Sequence, residues 1–216
     1  MTASSYLNSV RASYDAVAVA SARQLGTELA GKPLDRAMLA AFAECVRGAE
    51  GGGGAVADLG CGPGRVTAHL GGLGVRAFGV DLSPAMVAVA RRTYPGLRFE
   101  VGSMAALDVA DAVLGGVLAW YSTLHTPPAQ QPALYREFAR VLAPGGHALV
   151  AFEAGDERVR LEQAYGLPVD LDVYRMPPDR IAALLAGAGL TEVARLLRGP
   201  APHEHGPQGF LLARKA

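Results

Sequence analysis

The chain has little of what marks several large protein classes. Its two cysteines, Cys45 and Cys61, are too few for a disulfide framework and suit a reducing compartment. Neither sign of charge is in excess, because 20 Lys and Arg stand against 20 Asp and Glu. Nucleic-acid binding depends on basic side chains neutralising phosphates, so this balance argues against a nucleic-acid partner. No apolar run reaches the roughly 18–20 residues of a membrane-spanning helix. Met1 to Arg11 lacks the cationic and then apolar blocks of a secretory signal. The expectation is a soluble, cytoplasmic protein with no membrane partner. His203 and His205 flank Glu204, but no further ligand set stands at matching spacing, so a solvated loop is expected there and no metal.

What is present suits one domain of ordinary size: 216 residues, 50% hydrophobic and 19% charged. Gly51–Gly54 divide the chain. Before them, Tyr6 to Gly48 reads as two or three helices, with Pro33 starting or interrupting one. Beyond them, apolar strand candidates alternate with helical stretches, the pattern of a parallel α/β sheet. The strands expected are Ala55–Leu59, Arg76–Asp81, Leu97–Val101, Gly116–Tyr121 and His147–Glu153. Ser83-Pro84 opens the helix Ala85–Tyr94 as N-cap and first-turn proline, and Pro132 opens the helix Ala133–Leu142, which Pro144-Gly145-Gly146 then end. Gly155 to Met176 reads as polar and irregular. Pro177-Pro178 then open a helix ending at Gly189, and Thr191–Leu197 with Gly209–Arg214 form a final antiparallel pair.

The informative segment is Val56-Ala57-Asp58-Leu59-Gly60-Cys61-Gly62-Pro63-Gly64-Arg65, between a strand and a helix. Glycines there permit positive φ and close approach of a ligand to the backbone. The helix start behind them, with free N–H groups and a positive dipole end, favours an anionic group. A dinucleotide fingerprint would need glycine at position 65, where Arg65 stands, and the phosphate loop ending in Gly-Lys-Ser/Thr is absent. Asp81 ends the next strand, where a carboxylate can accept hydrogen bonds from ribose hydroxyls. The plainer alternatives are that Asp58 organises the glycine turn and Asp81 caps a helix.

From about Ala55 to Ala216 the chain resembles class I S-adenosylmethionine-dependent methyltransferases of the small-molecule type. The resemblance rests on Asp58–Gly64, Asp81 after the second strand, and Leu142-Ala143-Pro144-Gly145-Gly146 before the fifth. It implies a doubly wound, Rossmann-like α/β fold with a seven-stranded sheet in the order 3-2-1-4-5-7-6, strand 7 antiparallel. Residues 1–50 would form a helical cap carrying Arg11-Ala12-Ser13-Tyr14-Asp15, residues 55–216 the cofactor-binding core, and 155–176 a substrate-side insertion. S-adenosylmethionine would be the cofactor and S-adenosylhomocysteine its product. Gly60, Gly62 and Gly64 would line its methionine part and Asp58 would lie near its ammonium. Asp81 would bind the ribose, Leu82 would flank the adenine, and Ser103 and Met104 would lie on its other side, with Tyr14 and Trp120 completing the site. Three positions depart from the family pattern. Ser103 and Gly115 stand where an Asp is common, and Ser21 where a second cap tyrosine is common.

Methyl transfer needs a nucleophile held in line with the methyl carbon in a water-poor pocket. Trp120 to Pro128 leaves the fourth strand at the edge where an acceptor would sit. His125 is the candidate general base, its ordinary pKa of about 6.5 lying near physiological pH; the alternative is a structural loop histidine. Tyr121, Glu153, Tyr165 and Tyr174 are candidates to touch the acceptor, or else core and solvated loop residues. Thr126-Pro127-Pro128-Ala129 lacks the aromatic that would stack a flipped base, which disfavours nucleic-acid methylation. The expected activity is methyl transfer to an O, N or C nucleophile of a small molecule. The alternative is a non-catalytic cofactor-binding or scaffold protein on the same fold.

Overall fold

The computed structural model describes residues 3–49, 53–202 and 204–216, with side chains from residue 6 onward. Gly51 and Gly52 of the glycine run, and His203, lie outside the described residues. The strands are β1 Val56–Leu59, β2 Ala77–Asp81, β3 Arg98–Val101, β4 Leu114–Trp120, β5 Leu142–Glu153, β6 Arg158–Ala164, β7 Leu167–Tyr174, β8 Leu190–Arg198 and β9 Gln208–Lys215. The helices are α1 Ala3–Leu25, α2 Pro33–Gly48, α3 Arg65–Gly72, α4 Pro84–Thr93, α5 Gln131–Val141 and α6 Pro178–Gly187. Seven strands form one sheet in the order β3-β2-β1-β4-β5-β9-β8, and β6 with β7 form a separate pair. β9 runs antiparallel to both neighbours, while β1 to β5 pair in parallel. Apart from the inserted pair, this is the expected order, with β8 and β9 as its sixth and seventh strands.

The central strands are covered on both faces, so they read as almost unbroken apolar runs. Alternation along β5 divides them: Ala148, Val150 and Phe152 face α5 and α6, joining Leu134, Tyr135, Phe138, Ile181 and Leu185. Leu149 and Ala151 face the other way, toward Leu39, Phe42 and Val46 of α2 and Val66 and Leu70 of α3. Within residues 1–50, α2 is thus a layer of the core. The part that lies over the edge of the sheet is α1, whose Val17 and Ala18 pack on Met86 and Val89 of α4.

Local chemistry explains most helix starts. Pro33 is the first residue of α2, and Ser83 caps α4 by accepting the Met86 N–H at 3.0 Å. α5 ends at Val141, one residue before the expected Leu142, but the strand that follows begins at once and not at His147. Leu142, fully buried, turns to extended backbone and pairs with Leu114, so Pro144-Gly145-Gly146 lies inside β5 at a register shift.

The stretch expected to be irregular is instead a β-hairpin. In Arg158-Val159-Arg160-Leu161 polar and apolar residues alternate, and so do Asp170-Leu171-Asp172-Val173. The turn is Tyr165-Gly166, both at positive φ (53° and 77°), which matches the twist of a two-residue hairpin. Ser9 Oγ donates to the Asp170 carbonyl at 2.6 Å, and the Asp170 N–H donates to Ser13 Oγ at 3.0 Å, tying the hairpin to α1.

Candidate functional site

A cavity of about 690 Å³ opens at the carboxyl ends of β1, β2, β4 and β5, between the sheet edge and a roof of α1 and the β6–β7 hairpin. Its wall includes Tyr14, Asp58, Gly60, Gly62, Asp81, Leu82, Ser103, Met104, Trp120, Tyr121, His125, Glu153 and Tyr165. Two of the residues expected in the site lie elsewhere. A Cβ on Gly64 (φ 86°) would stand 2.7 Å from the Phe99 ring and 3.1 Å from the Ala90 Cβ. That glycine serves helix–sheet packing behind the loop. Tyr174 lies beside a smaller polar hollow with Tyr6, Arg160, Asp170 and Asp172, because β7 turns it to the outer face.

The glycine loop is bound down by its own strand neighbours. Gly60 and Cys61 donate to the Val80 carbonyl at 2.7 and 3.1 Å, and Gly62 donates to Asp81 Oδ2 at 2.8 Å. Asp81 Oδ1 accepts the Ser83 N–H at 2.8 Å, so this carboxylate ties the loop to the start of α4. Gly60 lets the loop approach Ser122, whose Cβ would stand 2.4 Å from an added Cβ. At Gly62 (φ 55°) an added Cβ would meet nothing within 4 Å, so a ligand can lie against the backbone there.

The start of α3 does not offer the bare anion site expected from its dipole. Asp58 already stands there, accepting the Thr67 hydroxyl at 2.6 Å through Oδ2. Its Oδ1 is buried and has no hydrogen-bond partner among the described residues. Burial raises the Asp58 pKa to about 6, against the lowering effects of the Thr67 hydroxyl and the Arg65 guanidinium. A buried carboxylate with a free oxygen favours a cationic donor at that point of the loop.

His125, which also lines the cavity, is 7% exposed and lies between two partners. Its Nδ1 is 2.7 Å from the Asp172 main-chain carbonyl, which only accepts, so Nδ1 carries the proton. Nε2 is then an acceptor, and the Tyr14 hydroxyl donates to it at 2.7 Å. Burial lowers the His125 pKa, so the ring is neutral at pH 7. Burial also raises the Tyr14 pKa, with Tyr165, Asp81 and Glu153 adding to it. Tyr14 is thus a partner of the imidazole as well as part of the cavity wall.

The remaining expected residues differ in their surroundings. Ser103 Oγ accepts the Ala105 N–H at 3.2 Å, and the Met104 methyl lies beside Gly60. Trp120 packs on Phe210 and Tyr121, and Tyr121 sits at φ 55° with its hydroxyl buried and without a partner among the described residues. Glu153 accepts Arg175 Nε at 3.0 Å. Glu204 accepts from Arg198 and Lys32, so ion pairs occupy the carboxylate between the two loop histidines. Two departures from the family pattern have physical reasons. A Cβ on Gly115 would stand 2.6 Å from the Gly54 nitrogen, and Ser21 is fully buried, donating to the Ala18 carbonyl against Met86.

Sequence reading missed Arg65, Arg175, Glu28, Lys32 and Gln208 in the cavity wall. Arg65 had a signal, since it directly follows the last loop glycine. The alternation in β6 and β7 would have placed Val159, Leu161, Leu171 and Val173 on the face turned to the cavity.

Residues 56–146 match the family described as Methyltransferase domain. Among curated proteins, a demethylmenaquinone methyltransferase of Chlorobaculum parvum is 33% identical over 96 residues, covering 44% of this chain and 39% of that protein. A trans-aconitate 2-methyltransferase of Methylobacterium nodulans is 38% identical over 97 residues, covering 42% of this chain and 35% of that protein. The chain thus matches well under half the length of these relatives. Among solved structures, the 1,6-didemethyltoxoflavin-N1-methyltransferase of Burkholderia thailandensis, with bound 1,6-didemethyltoxoflavin and S-adenosylhomocysteine, superposes with a TM-score of 0.72 at 22% identity. That match covers 100% of this chain and 91% of the other, and is a likeness of fold. In sheet order and glycine loop the chain is thus similar to methyltransferases, and its segment 56–146 matches a methyltransferase-domain family.

Proposed function

We propose that the protein transfers a methyl group from S-adenosylmethionine to an O, N or C nucleophile of a small molecule. The observation that carries this reading is one cavity lined both by a carboxylate with an unpaired buried oxygen and by a neutral, tautomer-fixed imidazole. The Asp58 oxygen suits the cofactor's ammonium, and the open backbone at Gly62 suits a chain lying along the loop. Asp81 would receive ribose hydroxyls on the lone pairs its two N–H contacts leave, with Leu82, Ser103 and Met104 around the adenine. When bound, the cofactor supplies a methyl group on a positively charged sulfur.

The protein's own task is placement and proton handling. An acceptor hydroxyl at the Tyr14 end would pass its proton to the Tyr14 oxygen as Tyr14 passes its own to His125 Nε2. The Nδ1–Asp172 bond fixes which nitrogen receives it. Apolar Val159, Leu161, Leu171 and Val173 in the hairpin, with Tyr6 and Val10 of α1, would exclude water. Tyr121, Glu153 and Tyr165 would contact the acceptor, so α1 and the 155–176 segment would determine its identity. A small molecule suits a cavity of this size. No helix among the described residues is long and apolar enough to cross a membrane. We further propose that the protein acts in the cytoplasm and takes no nucleic-acid partner.

Incubation with S-adenosylmethionine and a metabolite extract, followed by mass spectrometry, tests the reading. A product heavier by one CH₂ unit, with matching S-adenosylhomocysteine, is expected. No binding of S-adenosylhomocysteine in calorimetric titration would overturn it.

A further inference from the structure

Asp58 and Arg65 stand at opposite ends of the glycine loop, and both line the cavity. Each has one buried polar atom without a hydrogen-bond partner among the described residues: Asp58 Oδ1, an acceptor, and Arg65 Nη1, a donor. An unpaired buried polar atom is costly, and more so on a charged group, so an occupant supplying the missing partner is favoured at each. The two unpaired atoms belong to groups of opposite charge and differ in hydrogen-bonding role. An α-amino acid end, with its ammonium and carboxylate, has the matching pair.

The guanidinium is held from behind. Arg65 Nη2 is 2.7 Å from Glu28 Oε2, Glu28 is 2.5 Å from Lys32 Nζ, and Lys32 is 2.9 Å from Glu204. Glu204 is paired with Arg198, which also holds the buried Asp35. In this chain of contacts three acids balance three cations. Glu28, shared between two cations, leaves little net repulsion for an incoming carboxylate. The fork of an arginine also permits one nitrogen to be anchored while the other serves a ligand, which a lysine ammonium does less well.

We propose that Asp58 and Arg65 form a two-ended clamp for the amino-acid part of the cofactor, Asp58 taking the ammonium and Arg65 the carboxylate. The clamp rests on the methyltransferase reading above and adds Arg65, which the resemblance did not assign. It predicts discrimination between S-adenosylmethionine and decarboxylated S-adenosylmethionine, which share sulfonium and ammonium and differ in the carboxylate.

Calorimetric titration of both compounds tests it. The wild type should bind S-adenosylmethionine at least tenfold more tightly. In Arg65→Met the two affinities should become equal within about twofold, because only the carboxylate-bearing ligand loses a partner. Arg65→Lys, which keeps the charge without the fork, should retain an intermediate preference. Asp58→Asn should weaken both ligands alike. Equal affinities in the wild type overturn the clamp and need no variant to fold. So does Arg65→Met or Arg65→Lys weakening both ligands by the same factor. Absence of binding by either ligand to the wild type overturns the clamp together with the methyltransferase reading, whereas binding without discrimination overturns the clamp alone.

Discussion

Asp58→Asn should stabilise the free protein while weakening cofactor binding. The wild-type carboxylate is 1% exposed, and burial lifts its pKa from 3.8 to about 6. A difference of about two pKa units between folded and unfolded chains corresponds to about 3 kcal/mol. Because the folded pKa is the raised one, stability is greatest below the unfolded pKa. It falls as pH rises through the window from 3.8 to about 6 and is constant above it. Asparagine removes this charge and still accepts from Thr67. Its amide nitrogen, in place of Oδ1, becomes a buried unpaired donor, costing about 1–2 kcal/mol. The net gain above pH 6 is therefore about 1–2 kcal/mol, or about 2–6 °C in melting temperature for a domain of this size. Calorimetric melts of both ligand-free proteins between pH 4 and 8 measure it, with S-adenosylhomocysteine titrations alongside. The variant's advantage should shrink as pH falls from 6 toward 4, and its affinity should drop at least tenfold. A destabilised variant at pH 7.5, an advantage independent of pH, or unchanged affinity would each refute the reasoning.

Other perturbations address the base, the roof and the packing. His125→Ala should lower turnover about 10²–10⁴-fold, with S-adenosylhomocysteine affinity within a few-fold of wild type; unaltered turnover would remove His125 from the chemistry. Tyr14→Phe removes the relay oxygen and should lower kcat, and because it also withdraws the hydrogen bond that stabilises the neutral imidazole, the acid limb of the remaining activity should move to higher pH. A limb that stays put or moves down contradicts the assigned tautomer. Gly64→Ala should cost about 1–3 kcal/mol in urea denaturation, since the new Cβ meets the Phe99 ring at a positive φ. Arg198→Met leaves the Asp35 carboxylate, 2% exposed, without its cation and should cost about 3–5 kcal/mol. A denaturation midpoint matching wild type would show that ion pair to be dispensable.

The parts of this fold legible in advance are those written in local chemistry. Ser83-Pro84 announces α4, Pro33 announces α2, and the apolar strand before Asp58-x-Gly-x-Gly-x-Gly locates β1 and its loop. The β6–β7 hairpin escaped because its turn carries Tyr165, at a positive φ where Asn, Asp or Gly is usual, so the turn signal was missing. The end of α5 was legible to within one residue, whereas the start of β5 escaped because burial of Leu142 in the sheet carries the strand back through Pro144-Gly145-Gly146. Gly64 looked like its two neighbours in the loop, yet its Cβ direction points at Phe99, which pattern alone does not reveal. The free Asp58 oxygen beside the start of α3 escaped for a similar reason. A dipole argument counts free N–H groups, while the folded chain supplies its own carboxylate there. Arg65 gains its role only when Glu28, far off in sequence, closes on one side of the guanidinium.

The roof over the cavity comes from two pieces of chain, α1 before the family-matched segment 56–146 and the β6–β7 hairpin after it. They touch through Ser9, Ser13 and Asp170, and Tyr165 packs beside Val17 and Ala18. Neither contributes a strand to the seven-stranded sheet. On the proposed function, new acceptor chemistry would be introduced by exchanging roof segments while the glycine loop stays as it is. The exchange must take both segments together, because each is shaped by the other. In a chimera, the matching donor pair, more than either segment alone, would then be the heritable unit of specificity.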